Sequence, residues 1–390
     1  MKYDFSLTID RRETHSYKWD VGENELPMWV ADMDFAAAPE IVEAIQKRAQ
    51  HGIFGYNMVP DEFFQSISHW WCKRHHYKME TEWMLFCTGV VPAISSIVRK
   101  LTTVGENVLI QAPVYNIFYN SIINNGRQVL SSDLVFDGSK YHIDFQDLEN
   151  KLANPQTTMM ILCNPHNPIG KVWEKEVLER IGDLCYKHHV LVLSDEIHCD
   201  VTSLETQYTP FASISKTCEM NSITCIAPTK AFNLAGLQTA CIVVPNSLLR
   251  NKVHRAINTD EVAEPNSFAC AAAIAAFTKG ERWLDELRAY IDENKKIVCQ
   301  FVEQNVPQLY IVPSKATYLL WIDCSLVCED SATLVNFIRK HTGLYVSSGL
   351  SYGTNGKTFI RVNIACPKER LLDGVSRLHK GIQLFIEENK

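Results

Sequence analysis

The sequence predicts an α/β protein in which a large unit built on a doubly wound, mostly parallel sheet is joined to a smaller α+β unit. Three observations carry this. Short β-branched apolar runs recur at residues 108–110, 159–162, 190–193 and 223–226. A helix-length segment, 174–189, lies between the second and third of them, which is the alternating rhythm of βαβ units. The last three runs each lead directly into polar residues: Asn164 and Asn167, then Asp195, then Lys230. In an open parallel sheet such strand ends face one crevice, so an amide, a carboxylate and an amine meet there.

The remaining elements follow in order. Residues 39–50 carry Ile41, Ile45 and Ala49 at four-residue spacing, with Gly52 as a stop signal, and form an amphipathic helix. An apolar helix is expected over 93–101, opened by the Thr88-Gly89-Val90-Val91 turn. The run 268–277 is apolar throughout but only half the ~20 residues a membrane span needs, so it is a buried helix. Residues 283–302 have a long helical pattern, and 318–322 and 359–362 read as strands, the latter holding Arg361. We expect a large α/β domain over residues 46–281 and a small α+β domain formed by 282–390 with the N-terminal segment 1–45 wrapped onto it.

Composition narrows the function. Hydrophobic residues make up 46% of the 390 and charged residues 21%, a globular balance. With 38 Lys and Arg against 45 Asp and Glu, the net charge is −7 and no basic run is long enough to follow a phosphate backbone, so nucleic acid is not an expected partner. The opening residues lack a secretory apolar core, and the 13 cysteines are odd in number and scattered through apolar runs. These features predict reduced thiols, a cytoplasmic location and no membrane partner.

A lysine after a strand is ordinarily a surface residue, and an aspartate there ordinarily a helix cap. Three motifs in order change that reading: Asn167-Pro168-Ile169-Gly170, Asp195-Glu196-Ile197-His198 and Pro228-Thr229-Lys230-Ala231-Phe232-Asn233. Together they resemble the signature of the fold-type I pyridoxal 5′-phosphate (PLP) enzymes, with the aspartate-aminotransferase-like fold and its seven-stranded, mostly parallel sheet. Over nearly its whole length the chain is similar to the cystathionine β-lyase, or carbon–sulfur lyase, branch. Ile9-Asp10-Arg11-Arg12, Lys18-Trp19-Asp20, Trp29-Val30-Ala31-Asp32-Met33-Asp34-Phe35, His51-Gly52-Ile53-Phe54-Gly55-Tyr56 and Pro113-Val114-Tyr115 carry that likeness.

The resemblance implies a role for each matching position, and chemistry says why the role is needed. Lys230 would hold PLP through an imine and later take the substrate α-proton, both of which require a neutral amine. A pyridine ring stores electrons while its nitrogen stays protonated, and Asp195 is the carboxylate that would keep it so. Asn167 would donate to the ring's phenolate oxygen, beside His198, which stands where aspartate aminotransferases carry tyrosine. Gly89, Val90 and Val91 would present backbone amides to the phosphate at a helix start, with Thr229 beside them. Tyr115 would stack on the ring, and also counts among the catalytic residues. Tyr56 would reach across a homodimer interface to the neighbouring subunit's phosphate and substrate. Arg361 would fork the substrate carboxylate, with Ala31 beside it. A surface ion pair is the ordinary alternative for Arg361, and a turn for Asn167.

Two positions depart from the wider family: Gln238 replaces a phosphate-binding arginine and Ala227 a serine. The lyase branch shares both changes. Elsewhere, Gly356-Lys357-Thr358 imitates the end of a phosphate loop, but Ser351 stands where its first glycine belongs. The pairs His75-His76 and His188-His189 read as solvated surface residues or partners of the helix dipole at C-terminal ends, and Glu196 as structural; no metal is expected. The resulting expectation is α,β-elimination on cystathionine, cysteine or related S-substituted cysteines. An aminotransferase, or a PLP-fold protein with a mainly regulatory protein partner, are the alternatives.

Overall fold

The computed structural model describes residues 2–389. Its seven-stranded sheet contains β1 (Met84–Cys87), β2 (Asn107–Ile110), β3 (Gln128–Ser131), β4 (Thr157–Cys163), β5 (Leu191–Asp195), β6 (Ser222–Ile226) and β7 (Ala240–Val243). Their spatial order is β1-β7-β6-β5-β4-β2-β3, and β7 alone runs against its neighbours. All four predicted strands lie in its parallel portion. Both faces are dry, as a parallel sheet requires. On one face Val108, Ile110, Ile161, Leu193 and Ile223 pack with α3 (Val90–Leu101); on the other Leu109, Met160, Leu162 and Val192 pack with α4 (Lys175–Lys187). The alternation along each strand sends neighbours to opposite layers.

Helix α3 begins at Val90, three residues before the expected start, because Pro92 sits in its first turn, where no intrahelical N–H is needed. The predicted helix over 39–50 is α1 (Pro39–Gln50). It packs against α5 (Ala269–Lys279), the apolar run, whose alanines let the two axes approach closely. A second antiparallel sheet holds β8 (Tyr310–Ile311), β9 (Leu319–Asp323), β10 (Ser347–Ser348) and β11 (Phe359–Asn363) in the order β8-β9-β11-β10. Before it runs the 25-residue α6 (Glu281–Asn305), and α7 (Ser331–Thr342) and α8 (Lys368–Glu388) cover it.

Part of the N-terminal segment bonds to residues beside and within this second sheet, Met28 O accepting from Asn363 N–H at 2.8 Å. Leu26 and Pro27 pair in parallel with Leu344 and Tyr345, and Asp34 N–H donates to Ala365. A buried charge cluster clamps it: Lys18 lies 3.2 Å from Asp34, and Arg11 bonds Asp32 at 2.7 Å and Asp34 at 2.8 Å. Each of these ions is paired, which is the condition for burying it. All 13 cysteines are unpaired, and no helix is long and apolar enough to cross a membrane.

Of the two readings of His75, the C-terminal one fits and the solvated one does not: it ends α2 (Asp61–His75), its side chain is largely enclosed, and its Nε2 lies 3.0 Å from Asp200 Oδ1. Asp200 also accepts from Trp70 Nε1 at 3.0 Å. Burial pushes this carboxyl up, yet the hydrogen bond and charge of His75, with Arg74, prevail and hold it below the ordinary value. His75 therefore serves an interior polar network. His188 and His189 stay at the surface as expected.

Candidate active site

The carboxyl ends of β4, β5 and β6 open into a cavity of about 260 Å³, lined among others by Asn167, Asp195, His198, Thr229 and Lys230. Lys230 follows β6 and points into it. Its Nζ donates to the Ala31 carbonyl at 2.7 Å, which also accepts from the Tyr318 hydroxyl at 3.0 Å. Burial, reinforced by the charge of Arg361, lowers the lysine to about 8. A substantial neutral fraction is thus present near neutral pH, as an imine-forming amine requires.

Asp195 ends β5 between Cys163 on β4 and Cys225 on β6, two thiols that give it little solvation. Burial pushes its carboxyl up to about 7. Oδ1 accepts the Ile197 N–H at 3.1 Å, a turn-capping bond, while Oδ2 has no hydrogen bond among the described residues. The first oxygen thus closes a turn, with no helix following directly, and the carboxyl group lines the cavity. His198 is buried and burial lowers it to about 3, so its ring is neutral; Nδ1 has no partner.

Asn167 accepts from Arg361 Nη1 at 3.2 Å through Oδ1, which leaves its amide N–H₂ free to donate into the cavity. Arg361, on β11, also donates to Trp29 O at 2.8 Å, lies over the Tyr352 ring at 4.7 Å, and keeps a buried, unpartnered Nε. A surface ion pair is excluded: the guanidinium is only 5% exposed and has no carboxylate partner among the described residues. Tyr115 lines the cavity with its ring edge against Phe118. Burial, with the nearby Asp195 charge, pushes its phenol up to about 12.

The opposite end of the cavity is the start of α3. Thr88, Gly89, Val90 and Val91 line it, and no side chain caps the helix. The free first-turn amides and the positive end of the helix dipole face this space. Gln238 and Thr239 complete that end. Gln238 takes a left-handed φ of 52°, and Ala227, buried on the β6 side, adds no donor.

These features test whether PLP fits. An unpaired carboxylate oxygen, an amine of lowered pKa, an orphan nitrogen on His198 and an uncapped helix N-terminus are what its ring nitrogen, aldehyde, phenolate oxygen and phosphate respectively need. The chain brings these together in one cavity, and Arg361 lies in the wall of the adjoining one. Tyr56 is the exception among the expected residues: it is fully exposed and lies outside the cavity of its own chain. Phe118, beside Tyr115, is buried in the sheet's apolar layer. Thr239 and Tyr318 were missed; Thr239 adjoins the flagged Gln238, but Tyr318 reads only as the first residue of a strand.

Comparison with known proteins agrees with this geometry. The family model described as "Aminotransferase class I and II" matches residues 23–378. The chain belongs to that family and is a PLP-dependent enzyme of fold type I. Cystathionine beta-lyase PatB of Bacillus subtilis is 40% identical over 382 residues, spanning 95% of this chain and 99% of its own. Protein MalY of Escherichia coli is 33% identical over 98% of this chain and 99% of its own. Cystalysin from Treponema denticola, solved with PLP, superposes with a TM-score of 0.95 at 31% identity, covering 98% of this chain and 99% of that one. The PLP-bound C–S lyase of Staphylococcus hominis reaches 0.92 at 30% identity, covering 97% and 99%. Within the family, then, the chain stands in the carbon–sulfur lyase branch.

Proposed function

We propose that this enzyme cleaves the Cβ–S bond of cystathionine, cysteine or related S-substituted cysteines, consuming water and releasing thiol, pyruvate and ammonia. The observation that carries the proposal is Lys230: a buried amine held near neutrality at 2.7 Å from Ala31 O, in one cavity with Asp195 and beside Arg361. PLP, when bound, supplies the electron sink that makes the α-proton removable and the β-substituent expellable.

The residues divide the remaining work. Arg361 grips the α-carboxylate with its guanidinium, already oriented by Asn167 and Trp29 O, which directs the Cα–H bond toward Lys230. Ala31 stands beside the carboxylate and its carbonyl steers the Lys230 amine. Lys230 removes the α-proton at Nζ. With PLP bound, Asp195 Oδ2 would keep its ring nitrogen protonated, Asn167 and the neutral His198 would serve its phenolate oxygen, Tyr115 would pack against the ring, and Gly89, Val90, Val91 and Thr229 would hold the phosphate.

The exposed Tyr56, with Ile53, Phe54 and Met58 also exposed beside it, supports a homodimer in which this tyrosine completes the neighbouring site. Unpaired cysteines support a cytoplasmic location. Elimination is favoured over amino transfer by His198 at the aminotransferase tyrosine position and by the names of the relatives. Incubating the holoenzyme with cystathionine and assaying pyruvate and free thiol tests this. Equimolar release is expected; amino transfer that depends on an added keto acid, with no thiol released, refutes it.

A further inference from the structure

A second cavity of about 470 Å³ adjoins the first and shares Ala31, Tyr115 and Lys230 with it. Arg361 forms part of its wall. A substrate whose carboxylate sits on Arg361 and whose α-carbon faces Lys230 must extend its sulfur substituent into the remainder of this space. Its walls there come from Tyr17, Trp29, Val346, Tyr345 and the hydroxyl-bearing Ser347 and Ser351. Apart from Lys230 and Arg361, no charged side chain among the described residues lines it.

The aromatic wall is built by ring contacts. Trp29 and Tyr345 stack at 4.8 Å with 19° between their planes, and Tyr17 meets Trp29 edge-on at 5.1 Å. Arg339 covers Tyr345 at 3.8 Å and is itself held by Glu25 at 2.8 Å. Two of the wall hydroxyls are occupied, Ser347 Oγ donating to Trp29 O at 3.3 Å and Ser348 Oγ bonding Ser331, whereas the side chains of Asn116, Asn336 and Ser351 make no hydrogen bond among the described residues. Trp29 therefore joins two functions, since its carbonyl orients Arg361 while its indole forms the wall.

We infer that this cavity is the leaving-group subsite and selects neutral, apolar or aromatic thiols, with the Trp29–Tyr345 stack as its specificity determinant. The inference rests on the lyase reading above. An aryl or benzyl substituent gains ring contact and gives up little hydration. The far end of cystathionine carries an ammonium and a carboxylate, which would leave water for walls that offer neither a counter-charge. The balanced reaction for the probe is S-benzyl-L-cysteine plus water to phenylmethanethiol, pyruvate and ammonia: the Cβ–S bond breaks and the departing sulfur takes a proton.

The experiment measures pyruvate release by the holoenzyme from S-benzyl-L-cysteine, L-cystathionine and L-cysteine, in the wild type, Trp29→Ala and Trp29→Phe. Wild-type kcat/KM on the benzyl substrate should exceed that on cystathionine by about tenfold or more, and Trp29→Ala should lower the benzyl-to-cysteine ratio by about tenfold. Trp29→Phe should restore most of it. Because each ratio is taken within one preparation, partial misfolding cancels, and the wild-type comparison stands alone if Trp29→Ala fails to fold. Cystathionine used as well as the benzyl substrate, or a Trp29→Ala ratio unchanged, overturns the inference. No pyruvate from any of the three substrates overturns the lyase reading itself.

Discussion

Replacing Asp195 with asparagine should stabilise the cofactor-free protein, and the gain should grow with pH. Its carboxyl rises from 3.8 in the unfolded chain to about 7 when folded, chiefly through burial. The sign follows from proton binding: between these values the folded state holds the proton more tightly, so stability is lost as pH rises toward 7. The penalty that follows from the two values is under about 1 kcal/mol at pH 4, about 2 kcal/mol at pH 5 and about 4 kcal/mol at pH 8. The substituted amide would keep an oxygen for the Ile197 N–H and add no charge, so most of the penalty disappears. Glu196, also raised to about 7, chiefly by burial and last by the Asp195 charge, is present in both proteins, so all but that coupling cancels in the difference. Urea denaturation of the cofactor-free wild type and Asp195→Asn at pH 4, 5, 6 and 8 measures the gain at each pH. A gain that is flat across this range, or a loss that is the same at each pH, refutes the reasoning. Where Asp195 takes the ring-nitrogen role proposed above, bound PLP would reverse the sign.

Three further outcomes follow from named contacts. Lys230→Ala should abolish the yellow absorption of the purified protein and its pyruvate production; a variant that stays yellow with cofactor covalently attached would assign the anchor elsewhere. Arg361→Lys should lower kcat/KM by about 10- to 100-fold, since a point charge replaces the fork that Asn167 and Trp29 O orient, and steady-state kinetics on cysteine would detect it. His75→Ala should destabilise the fold by about 1–3 kcal/mol in denaturant titration, leaving buried Asp200 short of a partner. Since His75 is outside the active-site cavity, KM should stay at the wild-type value; a changed KM would show that the network reaches the site.

The parallel sheet and the polar residues at its strand ends were legible because both are local. A β-branched run followed by Asp195, or by Thr229 and Lys230, states in consecutive residues that a strand ends there and that a chemical group begins. Glycine at 89 ahead of an apolar helix likewise announced an anion site, and only the helix start was misjudged, through Pro92. For His75 the helix-end position was legible but its enclosure was not, because adjacent histidines near a helix end look solvated until Asp200, 125 residues away, is packed against one of them.

What the sequence by itself determined is the inventory: which amine, carboxylate, amide and guanidinium are present and which lie at strand ends. Tertiary structure alone decided their condition. The Ala31 carbonyl meets Lys230 across 199 residues and Tyr318 across 287, and Arg361 meets Asn167 across 194. Such contacts have no spacing rule, because they depend on how the N-terminal segment, the parallel sheet and the second sheet close on one another. The same closure removes water, and that desolvation lowers Lys230 toward 8 and raises Asp195 toward 7.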